Sequence, residues 1–374
     1  MIESQILIGQ RAVGTGSKVL VIAEIGINHG GNVDMAHRLV DAAADAGADA
    51  VKFQTFRADK LMIPIRDRLA QQIDGSESAY EMFQRMELTP EAHAQLKDHA
   101  DRRRVFFLST PFDEESADLL EKIGVPAYKI ASADITHFPL LRHVAAKRKP
   151  VLLSTGMSFL NEVSDALLTL KSAGAKEIAL LHCTSCYPAP ADQLNLRAIG
   201  TLRDHFGLPV GYSDHTQGLL CPMMAVALGA SVLEKHFTLD KLASGPDHKL
   251  SMDPSELRSL VDGLREVEAG LGNGRKCPMP AEQDNRRMSR RSIVASVDIR
   301  AYATIEPHML SFKRPGEGIE PKHLEHVIGM CSRCDIARDR VLHWGDLLPS
   351  VPACKPRAET NSESRFGALT STHR

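Results

Sequence analysis

Two stretches decide the fold: Pro209-Val210-Gly211-Tyr212-Ser213-Asp214-His215 and Ser231-Val232-Leu233-Glu234-Lys235-His236. Each is a short apolar run, long enough for one buried strand, that breaks into polar residues at its end. The same pattern recurs six times upstream. Residues 19–23 end in Glu24, 50–51 in Lys52 and Gln54, 105–108 in Ser109 and Thr110, and 127–128 in Lys129 and Ser132. Residues 151–153 end in Ser154 and Thr155, and 178–181 in His182 and Thr184. Most intervals hold about 20–30 residues of helical periodicity, the spacing of a βα unit. Eight such units predict an α/β fold, a (β/α)8 TIM barrel, whose active site lies where the strands end.

The punctuation of the intervening helices agrees. Asn32 or Asp34 is placed to cap a helix with Leu39, Val40 and Ala43 inward and Gly47 at its end. Asp253-Pro254-Ser255-Glu256 combines an N-cap, a proline at N1 and a glutamate at N3, followed by Leu257, Leu260, Val261 and Leu264 on one face and Gly270 and Gly272 as stops. One interval is too long, and residues 57–87 read as an extra excursion, a lid over the barrel mouth or a solvated decoration.

At 374 residues the chain exceeds one barrel. Residues 1–271 are assigned to the barrel and 272–291, rich in Gly, Pro, Arg and Asn, to a linker. Residues 292–350 change texture to short β-like runs and turns, a small α+β domain, and 351–374 have the composition of a disordered tail. The net charge of −2 and a pI near 6.8 argue against nucleic acid or membrane surfaces as partners. No apolar run approaches the ~20 residues of a membrane span and no signal-peptide pattern opens the chain, so a cytoplasmic location is expected. Seven cysteines, including the pairs Cys183/Cys186 and Cys331/Cys334, read as reduced thiols rather than a zinc ribbon, because the pairs lie too far apart in sequence.

The strand ends carry the chemistry. His215 and His236 end adjacent strands, opposite Glu24. One such histidine is ordinarily a hydrogen-bonded core residue, whereas two with a carboxylate point to Mn2+, Co2+, Fe2+ or Zn2+. Lys52 and Lys129, with Thr110, Ser132, Ser154 and Ser213, suit a phosphate or carboxylate. A Schiff-base lysine and a buried lysine paired with Glu24 or Glu234 are the rival readings. Gly245-Pro246-Asp247-His248 offers a carboxylate to sugar hydroxyls, or is an ordinary turn.

These residues sit in recognisable motifs. Ala23-Glu24-Ile25-Gly26-Ile27-Asn28-His29, Val51-Lys52-Phe53-Gln54-Thr55, Ser109-Thr110-Pro111-Phe112 and Tyr128-Lys129-Ile130-Ala131-Ser132 are four of them. Leu153-Ser154-Thr155-Gly156-Met157, His182-Cys183-Thr184-Ser185, Gly211-Tyr212-Ser213-Asp214-His215-Thr216 and Glu234-Lys235-His236-Phe237-Thr238 follow in order. Together they resemble the sialic acid synthase family, and Phe312-Lys313-Arg314-Pro315-Gly316-Glu317-Gly318-Ile319 is similar to that family's antifreeze-like (SAF) domain. The resemblance implies a transferase that condenses phosphoenolpyruvate with an N-acylated amino sugar into a nine-carbon 2-keto acid, using Mn2+, or Mg2+ or Co2+ in its place. It also implies a domain-swapped homodimer in which one chain's SAF domain covers the other's barrel. Carried over position by position, Glu24, His215 and His236 would be catalytic, the two histidines holding the metal. Lys52, Thr110, Lys129, Ser132, Ser154, Thr184 and Ser213 would bind phosphoenolpyruvate, and Gln54, Phe112, Asp134, Tyr187, Asp247 and Arg314 the sugar.

Where many family members have glycine after the fourth-strand serine, this chain has Ala133, and Phe53 stands where some have histidine. The sugar is therefore open among N-acetylmannosamine, a 2,4-diacetamido-trideoxy hexose and a related N-acyl sugar. Another phosphoenolpyruvate–sugar synthase, for example one taking arabinose 5-phosphate, would need a second phosphate site. A catalytically silent sugar-binding scaffold has no reason to keep both histidines and both lysines.

Overall fold

A computed structural model describes residues 4–64 and 78–349. Part of the predicted excursion (65–77) and the tail (351–374) lie outside the described residues. The chain divides into two compact units, residues 1–273 and 274–374.

The first unit opens with an antiparallel hairpin, β1 (Gln5–Ile8) and β2 (Arg11–Gly14). Eight parallel strands follow: β3 (Leu20–Gly26), β4 (Ala50–Thr55), β5 (Phe106–Pro111), β6 (Tyr128–Ile130), β7 (Val151–Ser154), β8 (Ile178–Cys183), β9 (Val210–Asp214) and β10 (Val232–His236). They form one sheet in the order β5-β4-β3-β10-β9-β8-β7-β6, and its two outer strands, β5 and β6, pack side by side to close the barrel. Helices α1 (Val33–Asp45), α2 (Ala58–Leu61), α3 (Ala79–Met86) and α4 (Pro90–Arg102) occupy the first two crossovers. Each later strand is followed by one helix: α5 (Glu114–Ile123), α6 (Phe138–Ala146), α7 (Leu160–Ser172), α8 (Ala198–Phe206), α9 (Leu220–Ala227) and α10 (Pro254–Leu271).

The caps are those the sequence offered. Asn32 accepts from the Met35 amide at the start of α1, and Asp253 and Glu256 form a capping box on α10. Leu39, Val40 and Ala43 on α1, and Leu257, Leu260, Val261 and Leu264 on α10, are buried.

Because side chains alternate along a strand, each barrel strand has two apolar sets. Val21, Val51, Phe107, Leu153 and Leu233 belong to the layer shared with the helices. Leu20, Ile22, Ala50, Leu108, Leu152, Leu181 and Val232 fill the barrel interior, where Ile6, Ile8 and Val13 of the hairpin join them. Two residues further along the interior set, the same alternation brings in Glu24, Lys52, Thr110, Lys129, Ser154, Ser213 and Glu234.

The second unit holds the helix α11 (Gln283–Ser289), within the segment read as a linker. Beyond it are two antiparallel pairs, β11 (Ser292–Ala295) with β12 (Leu310–Lys313) and β13 (Cys331–Ser332) with β14 (Leu347–Leu348), and the single-turn helix α12 (Leu324–Val327). Ile293, Ile299, Ile305, Ile319, Ile336 and Leu342 are among the residues of its separate core.

Gly211 belongs to the interior set of β9, where a Cβ would lie 2.5 Å from the Leu181 side chain and 2.6 Å from the carbonyl of Val232. Strands on both sides would have to move. Gly211→Ala is expected to destabilise the barrel by about 1–3 kcal/mol, read as a lower denaturant midpoint by circular dichroism.

Candidate active site

A cavity of about 660 Å3 opens at the carboxyl ends of the barrel strands. It gathers Glu24, Lys52, Lys129, His215, Glu234 and His236 from five strand ends, and Gln54, Thr110, Phe112, Ser132, Ser154, Tyr187, Ser213 and Asp247 share its walls. Three predicted residues stand apart. The Thr184 hydroxyl bonds the Gln193 carbonyl at 3.4 Å, and its own carbonyl meets His215. Asp134 does not line the cavity, although its Oδ2 is buried without a hydrogen bond. Arg314 is an exposed residue of the second unit.

The floor of the cavity is a buried charge quartet. Lys52 Nζ lies 2.8 Å from Glu24 Oε2 and 3.8 Å from Glu234 Oε2, and Lys129 Nζ lies 3.7 Å from Glu234 Oε1. All four side chains are at most 7% exposed. Register explains the grouping, since Glu24 on β3 stands beside Lys52 on β4 and His236 on β10, while Glu234 stands beside Ser213 on β9. Ser213 donates to Glu234 at 2.9 Å, Lys52 to Thr110 at 3.0 Å, and Lys129 to the Ile130 carbonyl at 3.1 Å. An ammonium has three donors. Lys129 therefore keeps donors for a ligand oxygen even though the lysines are paired with glutamates, as the rival reading of the sequence had it. The Ser154 hydroxyl is buried without a partner at the same wall.

Burial separates the two carboxylates. It pushes Glu24 up to about 7, with Lys52 pulling the other way. Burial also acts on Glu234, but there Lys129 and Lys52 outweigh it and the group stays below its ordinary value. Burial lowers Lys129. Lys52 is held up against burial by Glu234 and Glu24. Near neutral pH, one carboxylate of the pair is thus an anion and the other is poised to exchange a proton.

The rings of His215 and His236 lie 5.4 Å apart, with Tyr187 against His215 at 4.2 Å. His215 Nδ1 meets the Thr184 carbonyl at 3.0 Å, a contact that fixes the ring and leaves Nε2 available. His236 Nδ1 is buried without a hydrogen bond, 3.6 Å from Asp247 Oδ2, and burial followed by His215 keeps this imidazole neutral. Burial acts to lower His215, but Cys183 and the Thr184 carbonyl outweigh it and hold the ring above its ordinary value, so it must give up its proton to act as a ligand. With that proton lost, it and the neutral His236, whose nitrogen is orphaned, fit a divalent cation. No third His, Cys, Asp or Glu completes a ligand cluster among the described residues, so substrate or water oxygens would have to fill its other positions. Behind the site, Lys235 and Asp214 form a fully buried ion pair at 2.7 Å that ties β10 to β9.

The sequence reading left three groups out of its site. Glu234 was legible only as a possible lysine partner, although its interior position follows from the same alternation as His236. Cys183 and Ser185 also line the cavity, Cys183 Sγ lying 3.7 Å from His215 Nδ1. Met82 and Phe83 of α3 carried no motif at all.

A barrel with its charges gathered at the strand ends is an enzyme scaffold. The sequence model of the NeuB family matches residues 39–276 and that of the SAF domain residues 290–348, so the chain belongs to the NeuB family of sialic-acid-type synthases and carries a C-terminal SAF domain. It is 46% identical to an uncharacterized protein of Methanocaldococcus jannaschii, over 92% of this chain and 99% of that protein. It is 43% identical to the N,N'-diacetyllegionaminic acid synthase of Campylobacter jejuni, over 87% of this chain and 99% of the relative. Among solved structures, the N-acetylneuraminic acid synthetase of Leptospira borgpetersenii in complex with citrate matches with a TM-score of 0.68 and 35% identity, over 76% of this chain and 95% of that one.

Glu234→Ala would leave Lys52 and Lys129 facing each other without their shared carboxylate. A loss of about 3–5 kcal/mol is expected, measured as a drop in the thermal midpoint of the barrel. A loss below 1 kcal/mol would show that the quartet is not the electrostatic floor described.

Proposed function

We propose that the protein condenses phosphoenolpyruvate with an N-acylated amino sugar, releasing phosphate and forming a nine-carbon 2-keto acid. The observation that carries this reading is the buried quartet beside two histidines in one cavity. Few substrates need a doubly cationic floor, a poised carboxylate and an imidazole pair at once.

Lys52 and Lys129, with Thr110, Ser132, Ser154 and Ser213, would neutralise the phosphate and carboxylate of phosphoenolpyruvate and orient its C3 toward the sugar. His215 and His236 would hold a divalent ion, Mn2+ in this reading or Mg2+ or Co2+, which when bound supplies Lewis-acid polarisation of the aldehyde oxygen. C3 then forms a bond to C1 of the sugar as the aldehyde C=O π bond opens, water adds at C2, and Glu24 takes a proton of that water. That proton balances the one gained by the former aldehyde oxygen as it becomes a hydroxyl. Cleavage of the C2–O bond releases phosphate and leaves the keto group. Gln54, Phe112, Tyr187 and Asp247 would bind the sugar. The homodimer and the roles of Thr184, Asp134 and Arg314 rest on the family resemblance, and the cytoplasmic location on the sequence pattern alone.

Three expectations test the reading. Phosphate release should require both substrates, disappear in excess chelator and return with Mn2+, whereas His236→Ala should not recover at micromolar Mn2+. Full activity in chelator would reject the metal. Lys129→Ala should raise KM for phosphoenolpyruvate at least tenfold, since a charge-assisted contact is worth about 1.5–3 kcal/mol. Borohydride should trap no adduct on either lysine, and a trapped adduct would establish the Schiff-base alternative. Finally, Glu24 acts ionised, so kcat/KM should fall as pH drops through about 7. Glu24→Gln should cost roughly 100-fold or more in kcat, and survival of the same acid limb in the residual activity would assign it elsewhere.

A further inference from the structure

The ladder between β9 and β10 pairs Leu233 with Tyr212, Glu234 with Ser213 and Lys235 with Asp214, and there it ends. The next residue along the chain from each member of the last pair is a histidine of the site, His236 or His215. Lys235 and Asp214 are therefore the final cross-strand link before the two imidazoles. Alternation turns both of them away from the cavity, which is lined instead by Ser213, His215, Glu234 and His236.

The layer they turn into holds Val21, Val51, Phe107, Leu153 and Leu233 on these strands, yet here it accommodates an ion pair of 2.7 Å with both side chains fully buried. The pair also grips the residue after His215. Asp214 Oδ1 accepts from the Thr216 amide at 2.9 Å and Oδ2 from the Thr216 hydroxyl at 3.2 Å, while Lys235 Nζ donates to the Thr216 carbonyl. His215 itself lies just beyond β9, where no ladder holds it, and its carbonyl accepts from the Ala189 amide at 3.0 Å. Asp214 before it and Thr216 after it are both bound by Lys235, the residue that directly precedes His236. For folding alone, apolar side chains of the same volume serve as well as a buried ion pair, or better. They could not satisfy the buried amide and carbonyl of Thr216.

Resting on the reading that His215 and His236 hold a divalent cation, we propose that Asp214 and Lys235 are positioning residues for that site. One buried ion pair fixes the spacing of the two imidazoles, and with it the affinity for the ion. Ligands held in place beforehand bind more tightly, because any freedom they keep is lost when the ion arrives. Partners that orient metal ligands in this way are typically worth about 10–100-fold in metal affinity. The lysine floor has partners of its own in Glu24, Glu234 and Thr110, so its hold on phosphoenolpyruvate is independent of the pair.

The test titrates Mn2+ alone into the metal-stripped full chain and follows loss of the free ion's paramagnetic resonance signal. Phosphoenolpyruvate binding is measured separately in chelator. Asp214→Leu combined with Lys235→Met, an uncharged replacement of similar volume, should raise the Kd for Mn2+ about tenfold or more. The Kd for phosphoenolpyruvate should stay within about twofold of wild type. Asp214→Asn combined with Lys235→Met keeps an acceptor for the Thr216 amide, so its Mn2+ affinity should fall between those of the first variant and the wild type. A pair that only tied the strands together would shift the thermal midpoint of the metal-free protein without producing that order. Wild-type Mn2+ affinity in either variant, or equal loss of Mn2+ and phosphoenolpyruvate binding in the asparagine variant, would overturn the assignment. If the leucine variant fails to fold, the asparagine variant decides alone. Wild-type protein that binds no Mn2+ at millimolar concentration would instead reject the metal reading and this inference with it.

Discussion

Four charges held out of water on the floor of the cavity set the terms for the rest of the structure. Taking one carboxylate or ammonium out of water costs several kcal/mol even after the protein relaxes. Glu24, Lys52, Glu234 and Lys129 share that cost because two cations and two anions face one another within 4 Å along three contacts. The arrangement needs strands in fixed register, since a slip by one residue would turn each of these side chains into the helix layer. The apolar interior below, filled by the hairpin residues Ile6, Ile8 and Val13, and the Lys235–Asp214 pair behind β9 and β10 supply that rigidity.

The same crowding separates the roles of like groups. Glu24 and Glu234 are both glutamates at strand ends, yet burial raises one while the two lysines hold the other down. His215 is anchored by a backbone carbonyl, whereas His236 keeps a buried nitrogen without a hydrogen bond. Function on this scaffold comes from environment more than from residue type, so one residue list can serve both acid–base and electrophilic chemistry. The mouth follows a different rule. Above the charged floor, α3 brings Met82 and Phe83 beside Ile27 and Phe112, and the cavity changes from charge recognition to shape and apolar contact.

Much of this was legible from the chain alone. Short apolar runs, each closed by polar residues, marked the eight strands, and caps such as Asn32 and Asp253 marked helices that the fold contains. These signals are local: apolar runs and helix caps act over a few residues, so their traces survive in one dimension. Most of the predicted site came with them, because a parallel barrel gathers its strand ends whatever its loops do.

Pairing and elevation were not legible. Glu234 as the hub between two lysines depends on which strands are neighbours and on distances across the barrel, and nothing in its own surroundings announces that. Thr184 sits in a motif full of hydroxyls, yet its hydroxyl turns to Gln193 and its carbonyl orients His215. The apolar wall depends on α3, whose docking is set by contacts such as that between Gly31 and the Arg85 carbonyl, far apart in sequence. The sequence by itself determined the barrel and the residues at its strand ends, because those follow from short-range periodicity. Only the tertiary structure decided which charges share a partner and which side of the cavity is apolar, because both are set by packing between residues that are remote along the chain.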